Sequence, residues 1–122
     1  NGKVLAKRAG RARHKADRLL AQALEGGSGE LLHRARKAAK RARYAAELRK
    51  PLDKSATRTI KHFKHIQTVL GDHQDAVVAT DALRRMAVAA GTTPGENGFT
   101  YGLLYAREQQ IAAQSRKAVS RL

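Results

Sequence analysis

The apolar positions of this chain recur at helical spacing almost from end to end. Leu5, Ala9, Ala12, Ala16, Leu20 and Ala23 follow one another at intervals of three and four, which predicts a helix over about Lys3–Leu24. Gly26-Gly27-Ser28-Gly29 then reads as a short flexible connector. No Gly-Lys-Ser or Gly-Lys-Thr follows it, so it is not a phosphate-binding loop. A second helix is predicted over Glu30–Arg49. Glu30 lies in its first turn, where the helix dipole favours an acid. Pro51 ends it, because the residue before a proline avoids the α region. Asp53 is placed to cap a third helix from about Lys54 to Leu70.

At Gly71 the apolar stripe changes phase. Ile60, Phe63, Ile66 and Leu70 precede it, and Ala76, Ala79, Leu83, Met86 and Ala90 follow. Projected at about 100° per residue, the two stripes differ by roughly a third of a turn or more. One straight helix cannot bury both against the same neighbour. A kink or break near Gly71 is therefore expected, with Asp72 as a new cap. Gly91 to Gly98, containing Thr92-Thr93-Pro94-Gly95, reads as a turn-rich loop. A last helix runs from about Phe99 to the end, with Tyr101, Leu104, Ile111, Ala118 and Leu122 inward and Tyr105 packing near its start. Nothing reads as a strand. The expected architecture is all-α, an antiparallel bundle of four to five helices forming one domain over residues 1–122. The chain begins and ends inside helical pattern without an initiator Met, so it is expected to be an excerpt of something longer.

Composition sharpens this. Of 122 residues, 23 are Ala, two are Pro and none is Trp, which suits closely packed helices better than a sheet. Lys and Arg number 25 against ten Asp and Glu, a formal charge of +15 and a pI near 11.2. No apolar run approaches the ~20 residues of a membrane span, and no segment has the layout of a signal peptide. The absence of Cys excludes disulfides, thiolate metal sites and Cys nucleophiles, and agrees with a reducing cytoplasm. An aromatic content of 4% argues against stacking platforms for bases. A small domain at +15 repels itself, so an anionic partner is the economical reading, preferred to a chain merely kept soluble by charge.

The cations are patterned. On a helical wheel centred on His33, the residues Arg34, Arg36, Lys37, Lys40, Arg41, Arg43 and Tyr44 fall within about 100° either side. Leu31, Leu32, Ala35, Ala38, Ala39, Ala42, Ala45 and Ala46 fill the opposite arc. Six cations lie within Arg34–Arg43 with no acid among them, although like charges at these spacings cost a few tenths of a kcal/mol each. The first helix repeats the design with Lys7, Arg8, Arg11, His14, Lys15 and Arg18, and Asp17 as the acid beside them. The third adds Arg58, Lys61, His62, Lys64 and His65. Helices packed by their alanine sides would set these cations around one basic furrow.

Arg offers a planar fork for phosphate oxygens, Lys a mobile point charge, and the Tyr44 hydroxyl a donor. The ligand should be long, and it needs no bases because nothing here reads base edges. Linear inorganic polyphosphate fits, while a nucleic-acid backbone fits the charge but leaves its bases unread. His62 and His65, at i and i+3, could hold a metal only with a further ligand from Asp72, His73 or Asp75, and a plain basic surface is the better reading. Asp72 and Asp75 read as structural acids. The acids are too sparse for a metal-assisted phosphate hydrolase, and no Ser–His–Asp set can be assembled. Catalysis, a metal and a cofactor are therefore not expected.

The run Leu32-His33-Arg34-Ala35-Arg36-Lys37-Ala38-Ala39-Lys40-Arg41-Ala42-Arg43-Tyr44-Ala45 resembles the motif of the CHAD family, the conserved histidine α-helical domain. Leu70-Gly71-Asp72-His73-Gln74-Asp75-Ala76-Val77 resembles that family's second signature. The resemblance implies an all-helical fold of two similar bundles around a basic channel, binding of polyphosphate, residence at polyphosphate granules, and frequent company with a CYTH triphosphatase domain. Arg43-Tyr44 is the ending associated with the C-terminal half. By position, His33, Arg36, Lys37, Lys40, Arg41, Arg43 and Tyr44 become the implied phosphate contacts, with Gly71 and Asp75 as structural members. To these the charge pattern adds Lys7, Arg11, His14, Lys15, Arg18, Lys61, His62 and His65. A full domain would carry an earlier copy of the His-Arg motif. Only the weaker stripe around His14 is found, so a missing N-terminal half or a pairing with another chain is an expectation. The competing functions are a nonspecific nucleic-acid-binding module and an accessory part of a CYTH-type triphosphatase. A membrane-surface role is disfavoured because the faces opposite the cations are alanine.

Overall fold

The computed structural model describes residues 1–26, 28–93 and 98–122, and its regular structure is entirely helical. Four helices follow in order: α1 (Gly2–Gly26), α2 (Gly29–Arg49), α3 (Ala56–Thr92) and α4 (Gly98–Ser120). No strand occurs among the described residues. The protein is an all-α helical bundle, as its periodicity predicts. It divides into two compact units, Asn1–Gly71 and Asp72–Leu122, and α3 contributes to both.

In the first unit α1 and α2 pack against each other. The contact is built from small side chains. Ala9, Ala16 and Ala23 of α1 are buried, and so are Ala35, Ala38, Ala39, Ala42 and Ala46 of α2. Alanine lets two helix axes approach closely and costs no side-chain entropy. The larger core residues are Leu19 and Leu20 of α1 and Phe63, Ile66 and Leu70 of α3. Phe63 is fully enclosed.

Local chemistry sets the helix ends. The Asn1 side chain accepts from Val4 N at 3.0 Å at the start of α1. Ser28 caps α2, its hydroxyl accepting from Leu31 N at 3.1 Å. The connector is thus partly a cap, and Gly27 lies outside the described residues. Past Arg49, the Leu52 and Asp53 amides donate to the Arg49 carbonyl at 2.8 and 2.9 Å, closing the turn that Pro51 imposes. Asp53 then accepts from both the amide and the hydroxyl of Ser55, at 2.9 and 2.7 Å, and from Arg49 Nη2 at 3.0 Å. These bonds, the two from Ser55 foremost, hold its carboxyl below the usual carboxylate range.

Four expectations change. First, α3 is not broken at Gly71, and Asp72, inside the helix, caps nothing. The out-of-phase stripes need no break because they lie in different packing units. Second, Met86, expected inward, is exposed. Third, on α4 the expected inward residues Tyr101, Leu104 and Ile111 are exposed, while Ala112 and Val119 are buried. The more shielded line of α4 runs Gly98, Gly102, Tyr105, Glu108, Ala112, Ser115, Val119. Apolar residues also occur off that line, as at Phe99 and Leu103, so hydrophobicity alone does not mark the packed face. The predicted loop is shorter than Gly91–Gly98, because α3 extends to Thr92 and α4 begins at Gly98. Pro94 and Gly95 of that loop lie outside the described residues.

Candidate functional site: the basic faces of the first unit

Charge is divided unequally between the two units. Nineteen of the 25 Lys and Arg and five of the ten Asp and Glu lie within Asn1–Gly71, so this unit carries +14 and the other +1. The helices of the first unit bury their alanine faces, which leaves the cationic arcs outward.

On α1, Lys7, Arg11, His14, Lys15 and Arg18 border one open depression together with Gly10. All five are exposed, and no carboxylate lines it. This is the stripe expected from the spacing. Gly10 has open space where a side chain would stand, which leaves room between the cations.

On α2, His33, Lys37, Lys40 and Arg41 are exposed, while Arg36 and Arg43 are half-buried. Arg43 Nε is buried and stands 3.6 Å from Glu47 Oε1, an ion pair rather than a hydrogen bond. The Arg43 guanidinium also lies 4.9 Å from the centre of the Tyr44 ring, and Lys40 Nζ lies 5.7 Å from it. Tyr44 thus holds two neighbouring cations by cation–π attraction, which lessens their mutual repulsion. Arg36 reaches α3, where its guanidinium lies against Gly71.

On α3, Lys61 borders a depression with Lys54, Ser55, Thr57 and Arg58. His62 lines another with Thr59, Phe63 and Arg58, shared with Arg13 and Asp17 of α1. Its ring meets Phe63 edge to face at 4.9 Å. His65 is exposed. Among the described residues no group of three His, Asp or Glu could hold a metal ion. Gly71 is buried and Asp75 exposed.

The structure therefore gathers the expected cations by helix: the α1 set in one depression, Lys61 in a second, His62 in a third. Across helices, His62 of this set meets Arg13 of α1. Arg13 and Arg58 share the His62 depression, and Arg13 and Arg49 border a cavity of about 70 Å³ where α1, α2 and the start of α3 meet. Arg13 was detectable from its position between Ala9 and Ala16, at the rim of the packed face. Arg49 was detectable from its i,i+4 spacing to Asp53.

In the second unit, His73 of α3 is half-buried and its Nδ1 has no hydrogen-bond partner among the described residues. Burial pushes its pKa below 6.5, and the charge of Arg116 on α4 adds to the shift. No helix of the described residues is long and apolar enough to cross a membrane.

These features define an all-α domain that packs through alanine and displays uninterrupted cationic helix faces. The CHAD-domain family model matches residues 1–84, and the chain belongs to that family. The chain is also similar to the uncharacterized protein Rv2226 of Mycobacterium tuberculosis and to MT2285 from a second strain of that organism. Identity is 47% over 88 residues, covering 72% of this chain and 16% of each relative. The chain thus spans a small part of these relatives' length. No solved structure matches it.

Proposed function

We propose that the protein binds inorganic polyphosphate through the cationic faces of its first unit, without catalysis. The observation that carries this reading is the α1 depression, lined by Lys7, Arg11, His14, Lys15 and Arg18 with no acid among them. The uncompensated run from Arg34 to Arg43 on α2 supports it, as does membership of a family associated with polyphosphate. The mechanism is electrostatic. Lys and Arg replace the counterions of the polyanion, and release of those counterions supplies much of the free energy. Arg forks meet pairs of phosphate oxygens, and Lys follows the chain as a point charge. Residence at polyphosphate granules and correspondence to the C-terminal half of a CHAD domain belong to the same reading.

Competition tests it. With labelled duplex DNA bound at low salt, polyphosphate at a comparable concentration of phosphate should displace the DNA, and DNA should displace polyphosphate only in large excess. The reverse order would make the protein a nucleic-acid-binding module. Incubation with polyphosphate and a divalent metal should release no phosphate, and turnover would overturn the non-catalytic reading.

A further inference from the structure

Gly71 is buried in the middle of α3, where glycine is the least favourable residue other than proline. The facing helix shows what its missing side chain permits. A Cβ built on Gly71 would stand 3.2 Å from Nη2, 3.3 Å from Cζ and 3.4 Å from Nε of Arg36. These three atoms lie in one plane. Near-equal distances to all of them put that Cβ over the face of the guanidinium, not at its edge. The group therefore turns its face to the space that a side chain at residue 71 would fill. A methyl at residue 71 would meet it closer than ordinary van der Waals contact allows and would lift or tilt it.

We propose that Gly71 is a positioning residue for anion binding: the absence of a side chain there leaves the room in which the Arg36 guanidinium takes its plane. The plane matters because the donors of Arg are a rigid fork within it, so its tilt sets the direction in which the fork meets phosphate oxygens. A fixed fork also loses less freedom on binding than a swinging one. The proposal rests on the reading of Arg36 as a phosphate contact.

The test titrates long-chain inorganic polyphosphate against the wild type, Gly71→Ala, Arg36→Ala and the double variant, with thermal unfolding of each. Gly71→Ala should keep or raise the unfolding midpoint, because alanine is the better helix former, yet bind about fivefold more weakly. In the Arg36→Ala background it should change nothing further. Arg36→Lys, which keeps the charge and leaves Gly71 untouched, should also weaken binding by about threefold. Weaker binding by Arg36→Ala with unchanged binding by Gly71→Ala overturns the positioning role alone. So does an equal loss from Gly71→Ala in both backgrounds, or full affinity in Arg36→Lys. Wild-type binding by Arg36→Ala overturns the underlying assignment of Arg36, and the positioning role falls with it.

Discussion

Arg36 and Arg43 are the cations of the α2 run that the fold half-buries. Arg36 lies against Gly71, while Arg43 is drawn between Glu47 and the Tyr44 ring. Their neighbours Lys37, Lys40 and Arg41 extend into solvent, Lys40 within reach of the same Tyr44 ring. Replacing Arg36 and Lys40 together by Ala should weaken polyphosphate binding about tenfold at low salt. It should also flatten the dependence of log affinity on log salt by roughly 1.4, at about 0.7 for each phosphate no longer neutralised. Calorimetric titration at several salt concentrations measures both. His73 gives a pH prediction in the second unit. Its folded pKa is lowered, so the unfolded chain takes up the proton first as pH falls below 6.5. Stability should be full above that value and decline on acidification until the folded form protonates too. His73→Gln should remove this component, as thermal unfolding from about pH 7.5 to about pH 5 would show. An unchanged pH dependence would contradict it.

At the scale of elements, α1 and α2 were legible in the sequence because Ala alternates with Lys and Arg, a contrast that leaves one possible packed face. Of the residues expected inward, Ala9, Ala16, Leu20 and Ala23 of α1 and Ala35, Ala38, Ala39, Ala42 and Ala46 of α2 are buried, Ala12 and Ala45 are half-buried, and Leu19, off the expected stripe, is buried as well. The family motifs, too, were visible before any fold was known, because they sit on α2 and on α3 around Gly71. The rest was not legible for physical reasons. The phase change at Gly71 signalled two packing units, and periodicity cannot separate that from a break. On α4 the shielded line holds Gly102, Glu108 and Ser115 while Phe99 and Leu103 are exposed, so a hydrophobicity pattern points to the wrong side. Ser28 reads as connector in the sequence although its side chain caps α2. Ser28→Ala should therefore cost about 1 kcal/mol in chemical denaturation. Gly98 is a close approach of another kind. A Cβ there would stand 3.1 Å from Gly91 N and 3.2 Å from the Ala87 carbonyl oxygen, both backbone. Gly98→Ala should destabilise the second unit by about 1–3 kcal/mol, seen as faster amide exchange in α4. A neutral effect on both would mean that these ends are held by other contacts.

Across the whole molecule, chemistry and charge divide along the same line. The first unit carries +14 and the second +1. Such a charge favours compact folding less than a mixed surface would, because like charges repel across a Debye length of about 10 Å at 0.1 M salt. A bound polyanion relieves that repulsion, so saturating polyphosphate should raise the thermal unfolding midpoint, by mass action on the folded state. Composition sets the total charge but not its confinement to one unit, since that follows from where α3 passes from one packing partner to the next. The grouping of cations by helix, with Arg13, Arg49 and Arg58 meeting across helices, likewise depends on interhelical geometry.

If several cations of the first unit act together on one polyanion, the salt dependence of polyphosphate affinity reads their number directly. Cooperation of at least four Lys or Arg residues predicts a slope of about −2.8 or steeper in log affinity against log salt. A slope near zero, or affinity for polyphosphate no greater than for an equal concentration of inorganic phosphate, would contradict it.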